Sequence, residues 1–160
     1  MLTEICENLH NFFDKSTDPY TGMESGTTVY YGEYFDRNED DFTISTGGAI
    51  SPLPSTLVAG QYIRIVGSKL NDGIYLLSGT LANASLVNET FHGVVYGLRI
   101  PRDLVTLDTE ITAWVAANPA SLFTSESFGG WSGTRATGRG GVPLTWEKVY
   151  AARLNRWRKI

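Results

Sequence analysis

Gly60-Gln-Tyr-Ile-Arg-Ile-Val-Gly-Ser68, followed by Asn71-Asp-Gly73 and Ile74-Tyr-Leu-Leu77, is the stretch whose reading decides the fold. Residues Gln61 to Val66 alternate with a period of two, the pattern of a strand with unlike faces. Asn, Asp and Gly tolerate left-handed backbone conformations, so 71–73 predicts a tight hairpin turn into a second strand. Working outward, Thr28-Val-Tyr-Tyr-Gly-Glu-Tyr-Phe35 and Phe42-Thr-Ile-Ser45 are β-branched and aromatic runs on the upstream side. Thr90 to Ile100 supplies a last strand downstream. About five short strands with such close turns predict a small antiparallel sheet or partly closed barrel over residues 27–100.

Helical periodicity flanks this region. Leu2, Ile5, Cys6, Leu9, Phe12 and Phe13 fall at i, i+3, i+4 spacing, opposite Glu4, Glu7, Asn8 and Asn11, predicting an amphipathic helix over 2–13. Asp18-Pro19-Tyr-Thr-Gly22 breaks it. Pro101 suits a helix start, and Leu104, Leu107, Ile111, Trp114 and Val115 keep helical spacing until Asn118-Pro119. Residues 124–143 contain six glycines and read as an extended arm. A final helix is predicted from Thr145 to Trp157, with Trp146, Val149, Tyr150, Leu154 and Trp157 on one stripe. The expectation is one α+β domain over 1–160, whose N-terminal, middle and C-terminal helices flank an inserted antiparallel β-subdomain at 27–100. The arm at 124–143 and a basic helix or tail at 144–160 complete it.

Charge is distributed unevenly. From Trp131 onward lie seven of the 13 basic residues and one of the 17 acids, about +6, which leaves six bases and 16 acids, about −10, on the remainder. Three of the four tryptophans share the last 35 residues with this positive block. Ends of opposite sign attract another copy, or a two-signed partner, over roughly 8–10 Å. The overall charge of −4 argues against a general nucleic-acid binder. No apolar run approaches the ~18 residues of a membrane span, and the opening Met-Leu-Thr-Glu-Ile lacks a basic leader region, so no signal peptide is expected. The single cysteine, Cys6, excludes an internal disulfide and suits a reducing compartment. The sequons Asn83-Ala-Ser85 and Asn88-Glu-Thr90 are read as chance.

Catalytic patterns are scarce. His10 and His92 are the only histidines, and no His-x-x-x-His or Cys-x-x-Cys spacing occurs, so neither a metal nor a cofactor is expected. Cys6 lies on the apolar helix face as a small hydrophobe. Gly47-Gly48 leads into Ala-Ile-Ser-Pro rather than a helix, so it does not form a phosphate cradle. Gly138-Arg139-Gly140-Gly141 lacks the lysine-serine pair of a nucleotide loop. The acidic run from Asp36 to Asp41 reads as a solvated loop, with a hydrolase needing a catalytic pair among Asp36, Glu39, Asp40 and Asp41 as a rival. A second rival is a carbohydrate- or ligand-binding β-module of a virion or surface protein, in which Tyr30, Tyr31 and Tyr34 stack on sugar.

The C-terminal third allows three roles: a plain surface helix, a docking helix anchored by Trp and Arg, or a phosphate contact. The arm is either a loop or a segment that orders on a neighbour, and leaving Phe128 and Trp131 in water favours the latter.

Ser125-Glu-Ser-Phe-Gly-Gly-Trp-Ser132, placed after a helix that ends at an Asn-Pro break and before the closing Leu154-Asn-Arg-Trp-Arg-Lys159, resembles the head–tail connector (adaptor) proteins of tailed bacteriophages. There the equivalent stretch reads Ser-Glu-(Arg/Ser)-(Ile/Phe)-Gly-(Asp/Gly)-(Tyr/Trp)-Ser, and the chain closes on an aromatic-Arg-(Arg/Lys)-aliphatic tail. The resemblance covers 101–160, while the β-region departs from the plain helical members. The Gly60–Ser68 and Asn71–Gly73 wording is similar to neck proteins of phages of Gram-positive hosts. The resemblance implies a non-enzymatic structural protein of the virion neck, present in host cytoplasm during assembly. It implies a homo-oligomeric ring, dodecameric, between portal and tail, as part of the DNA ejection passage. Implied partners are the portal protein, a neighbouring neck or tail protein and, secondarily, viral DNA without sequence preference, with no membrane. The implied interface residues are Ser125, Glu126, Ser127, Phe128, Gly129 and Trp131, together with Arg153, Arg156, Trp157, Arg158 and Lys159.

Overall fold

A computed structural model describes residues 1–14, 39–55, 57–118, 125–128, 131–134 and 144–159. A first helix, α1 (Leu2–Asn8), is followed by five strands: β1 (Asp40–Ile44), β2 (Ile50–Ser51), β3 (Tyr62–Val66), β4 (Gly73–Leu76) and β5 (Glu89–Leu98). Helix α2 (Arg102–Ala117) follows, then the hairpin strands β6 (Ser125–Phe128) and β7 (Trp131–Thr134). The chain closes with α3 (Trp146–Val149), α4 (Ala151–Leu154) and a 3-10 turn at Asn155–Trp157. The protein is therefore α+β, as its two hydrophobic periodicities predict. The strand expected over 28–35 lies outside the described residues.

The ten-residue β5 is the spine of a five-stranded antiparallel sheet ordered β2-β1-β5-β3-β4. Its first half pairs with β1, Glu89 opposite Ile44 and Gly93 opposite Asp40. Its second half pairs with β3, Val94 opposite Val66 and Leu98 opposite Tyr62. Gly93 sits where the two partners meet, and a Cβ there would lie 2.1 Å from the Val66 carbonyl oxygen. A lone bridge between Ala49 and Ala82 links the two sheet edges and partly closes the barrel. Gly48 permits that approach, at φ +75 and with its would-be Cβ 1.7 Å from the Asn83 oxygen.

Strand alternation gives the sheet two cores. Ile63, Ile65, Phe91 and Val95 join Phe42, Ile44, Leu57, Leu77 and Leu86 on one face, where the Phe42 and Phe91 rings stack at 5.6 Å. Tyr96, Leu98 and Ile100 turn to the other face and meet Ile5, Cys6 and Leu9 of the N-terminal segment, Leu104, Leu107 and Ile111 of α2, and Leu154 of α4. Each fully buried aliphatic side chain contributes roughly 1.5–3 kcal/mol by leaving water. Arg64 faces this helical side. It is nearly buried yet pairs with Asp72 at 3.0 Å and Glu7 at 3.8 Å, and its guanidinium lies 4.8 Å from the Phe12 ring centre.

Four local expectations change. The first helix stops at Asn8 rather than Phe13, because His10 adopts φ 51. The amide of His10 then donates to the Glu7 oxygen and that of Asn11 to the Cys6 oxygen, a Schellman termination with histidine where glycine is usual. Phe12 and Phe13 pack on the same core from a segment without regular structure, Phe13 at φ 55, which reproduces helical spacing without a helix. The final helix divides into α3, α4 and the 3-10 turn at Tyr150, whose φ −100 and ψ 4 leave helical geometry. Such short pieces are held by packing rather than propensity. Within the glycine-rich arm, 125–134 holds a hairpin with Phe128 paired to Trp131.

Asn71-Asp-Gly73 is not a tight turn either, since residues 67–72 separate β3 from β4. The fully buried Asn71 amide instead braces a six-residue loop. Its Nδ2 donates to the Val87 oxygen at 2.9 Å and to Glu89 Oε2 at 3.0 Å, and its Oδ1 accepts from the Val87 amide at 2.7 Å. Glu89 also accepts from the Ser68 hydroxyl and from the amides of Lys69 and Leu70. These donors, the Ser68 hydroxyl foremost, hold the Glu89 carboxyl below its ordinary pKa. Replacing Asn71 by Ala strands the Val87 amide and carbonyl and should cost about 2–3 kcal/mol in urea unfolding. Lys69→Ala, which keeps every backbone bond of the loop, should leave the urea midpoint unchanged.

Candidate functional site

The C-terminal segment returns to the N-terminal helix. Leu154 is buried in the helical core, and Trp146, Tyr150 and Trp157 pack partly against it. Past the 3-10 turn, the Lys159 amide donates to the Leu9 oxygen at 3.0 Å, and Asn11 Nδ2 donates to the Trp157 oxygen at 2.9 Å. Arg158 donates through Nη1 to the Asn8 oxygen at 2.7 Å and through Nη2 to Asn8 Oδ1 at 2.8 Å. The carbonyls at the end of α1, otherwise exposed as the negative end of a helix dipole, thus receive a cation and a backbone donor.

The other arginines engage α2. Arg153 forks onto both carboxylate oxygens of Glu110, which holds the Glu110 carboxyl below its ordinary range. Arg156 donates to Asp103 Oδ2 at 2.9 Å, and its guanidinium lies 3.8 Å from the Trp157 ring centre. Lys159 Nζ approaches Asp14 at 3.7 Å. The Arg153–Glu110 and Arg156–Asp103 pairs are largely exposed, so each contributes roughly 0–1 kcal/mol and orients more than it stabilises. The sequence had left Arg153, Arg156, Arg158 and Lys159 between solvated and docking roles, and each has a partner within the chain.

Between α2 and this segment lies a cleft of about 410 Å³, lined by Asp103, Thr106, Ala152, Arg153, Arg156 and Trp157. That α2 forms its opposite wall is not legible from periodicity, because Asp103 and Arg156 lie 53 residues apart.

Of the remaining expected interface positions, Ser125, Glu126, Ser127 and Phe128 form β6, Trp131 opens β7, and Gly129 lies outside the described residues. The hairpin forms a two-stranded sheet separate from the five-stranded one. Its backbone register pairs Ser125 with Thr134, Glu126 with Gly133, Ser127 with Ser132 and Phe128 with Trp131.

Four further sequence features have a definite place, Cys6 as the buried small side chain its position predicts. Burial pushes the Cys6 thiol up to about 12, outweighing the opposite pull of Arg64, so it is protonated and unreactive at neutral pH. Gly48 serves barrel closure, and Asn83 of the first sequon donates its side-chain amide to the Leu76 oxygen at 2.9 Å. Of the acidic run, Asp41 lies opposite His92 across the β1–β5 ladder, with its Oδ1 2.9 Å from His92 Nδ1, while Glu39 is 3.8 Å from Nε2. Among the described residues no group of three or more His, Cys, Asp or Glu side chains is disposed to hold a metal ion, and no helix is long and apolar enough to cross a membrane.

Comparison with protein-family profiles, with curated proteins and with solved structures finds no match for this chain.

The hydrogen bond to Asp41 lifts the His92 imidazole above its ordinary value of 6.5. A raised folded value means the pair stabilises fully below the unfolded pKa and is lost as pH rises through the folded one. An NMR titration should therefore find the His92 midpoint above 6.5 in the native protein and lower in Asp41→Asn. Equal midpoints in the two proteins would show that the carboxylate does not act on the ring.

Proposed function

We propose that this chain is a structural subunit of a tailed-phage neck, a head–tail connector forming a homo-oligomeric ring between portal and tail. The observation that carries this reading is the hairpin Ser125–Thr134. The stretch with the strongest connector resemblance forms a two-stranded hairpin separate from the main sheet, with Phe128 and Trp131 opposite each other in its register. A lone two-stranded hairpin is marginal in water, so this element gains stability by meeting another surface. A ring requires such heterologous contacts, in which one patch meets a different one on the next copy.

On this reading α1, α2 and the C-terminal helices are the adaptor core, and the sheet is an insertion between α1 and α2. The chain acts without catalysis or cofactor, assembles in host cytoplasm and functions in the virion. Its stoichiometry is dodecameric, and its other partners are the portal and a neighbouring neck or tail protein. The engagement of Arg153, Arg156 and Arg158 with Glu110, Asp103 and Asn8 makes contact with passing DNA secondary.

Size-exclusion chromatography with light scattering, on the chain alone and mixed with the portal protein of the same phage, tests this reading. The expected result is a closed oligomer, alone or on the portal. A chain that remains monomeric in both samples contradicts it.

A further inference from the structure

The loop between β3 and β4 is built like an anion receptor. The successive backbone amides of Lys69 and Leu70 point at one place, donating to Glu89 Oε1 at 2.9 Å and to its Oε2 at 3.2 Å. Asn71 Nδ2 donates to the same Oε2 at 3.0 Å, and the Ser68 hydroxyl donates to it as well. The Ser68 oxygen itself accepts from the Asn71 amide at 2.6 Å, which leaves its own hydrogen for the carboxylate. Four donors therefore converge on two oxygens, in the manner of the amide concavities that hold anions in other proteins. The two side chains among these donors are out of water, Asn71 fully and Ser68 nearly so.

The conformation that aims these donors has supports of its own. Asn71 is tied to the Val87 backbone in both directions, through its Nδ2 and its Oδ1. Asp72 Oδ2 accepts from the Gly67 amide at 3.1 Å, and its Oδ1 lies 3.0 Å from Nη2 of the nearly buried Arg64. None of these contacts involves the Glu89 side chain. Donors held in place beforehand lose little freedom when an anion arrives, which is the condition for binding a small ligand.

We propose that residues 68–71 form a preorganised carboxylate receptor, in which the Glu89 side chain is a tethered ligand rather than the group that shapes the loop. The ligand class is a small carboxylate, because the donors divide between the two oxygens of one such group. Through this grip the β3–β4 loop holds the first residue of β5, the strand that joins the two halves of the sheet. The receptor stands whether or not the chain forms a ring.

Emptying the site tests this. Glu89→Ala removes the tethered ligand, while Glu89→Gln keeps the site filled with a neutral side chain. Both variants and the wild type are titrated with sodium formate in place of sodium chloride at constant ionic strength, and their backbone amides are followed by proton–nitrogen correlation NMR. In Glu89→Ala the Lys69 and Leu70 amides should shift saturably with formate, while the same amides in the wild type and in Glu89→Gln stay in place. Should Glu89→Ala be unfolded in chloride, circular dichroism becomes the readout. Formate should then refold it, the folding constant rising about tenfold for each tenfold increase of formate above its dissociation constant, as one bound anion requires. A folded Glu89→Ala whose amides ignore formate, or an unfolded one that formate does not recover, overturns the proposal. So does an equal response in the wild type or in Glu89→Gln.

Discussion

The capture of the α1 C-terminus by the last residues of the chain is the interaction on which the rest depends. Helix α1 is only seven residues long, too short to persist by its own hydrogen bonds. It persists because Ile5, Cys6 and Leu9 are buried against β5 and α2, and because Arg158 and Lys159 satisfy the carbonyls that α1 leaves open. The same contacts fix the irregular segment after α1, whose Phe13 oxygen accepts from the Arg99 amide at 2.9 Å. First helix, last strand of the sheet and chain end are thereby one cooperative unit. Its second consequence is the cleft, since holding Trp157 and Arg156 beside α2 creates the cavity wall.

Strand β3 was legible in advance because Ile63 and Ile65 recur at every second position, while β5, buried continuously from Val95 to Leu98, was marked by its β-branched and aromatic content. Helix α2 was legible for a similar reason, its Leu104, Leu107 and Ile111 being buried at helical spacing before an Asn-Pro stop. The remaining elements depended on features that periodicity does not encode. Phe12 and Phe13 imitate a helix because they reach the same core, yet a single backbone reversal at His10 ends it. Strand β2 is two residues long and follows two glycines, too short for any period to register. Asn71 resembled a turn residue, and its use as a buried brace depends on Val87 and Glu89 arriving from 16 and 18 residues away.

The candidate site was legible as composition but not as geometry. The basic, tryptophan-rich end was visible, but the acids that neutralise it, Asp103 and Glu110, lie on another helix and look there like ordinary solvated residues. The two glycines between Phe128 and Trp131 are a sequence signal for a hairpin, masked by the many other glycines nearby that suit an arm equally well. The Asp41–His92 pair spans 51 residues and exists only because β1 and β5 share one register.

The proposed neck role calls for a rigid body joined to a separate element, and the packing of residues 154–159 on α1 contributes to the first of these. The central claim is that the chain end belongs to that rigid body rather than trailing from it. Amide hydrogen exchange of the intact chain, resolved by NMR, tests this at Lys159, whose amide donates to the Leu9 carbonyl. The account predicts that Lys159 exchanges with protection similar to Leu9 and Asn11, because all three open together. Exchange of Lys159 at the rate of an unstructured peptide, with Leu9 and Asn11 still protected, would contradict it.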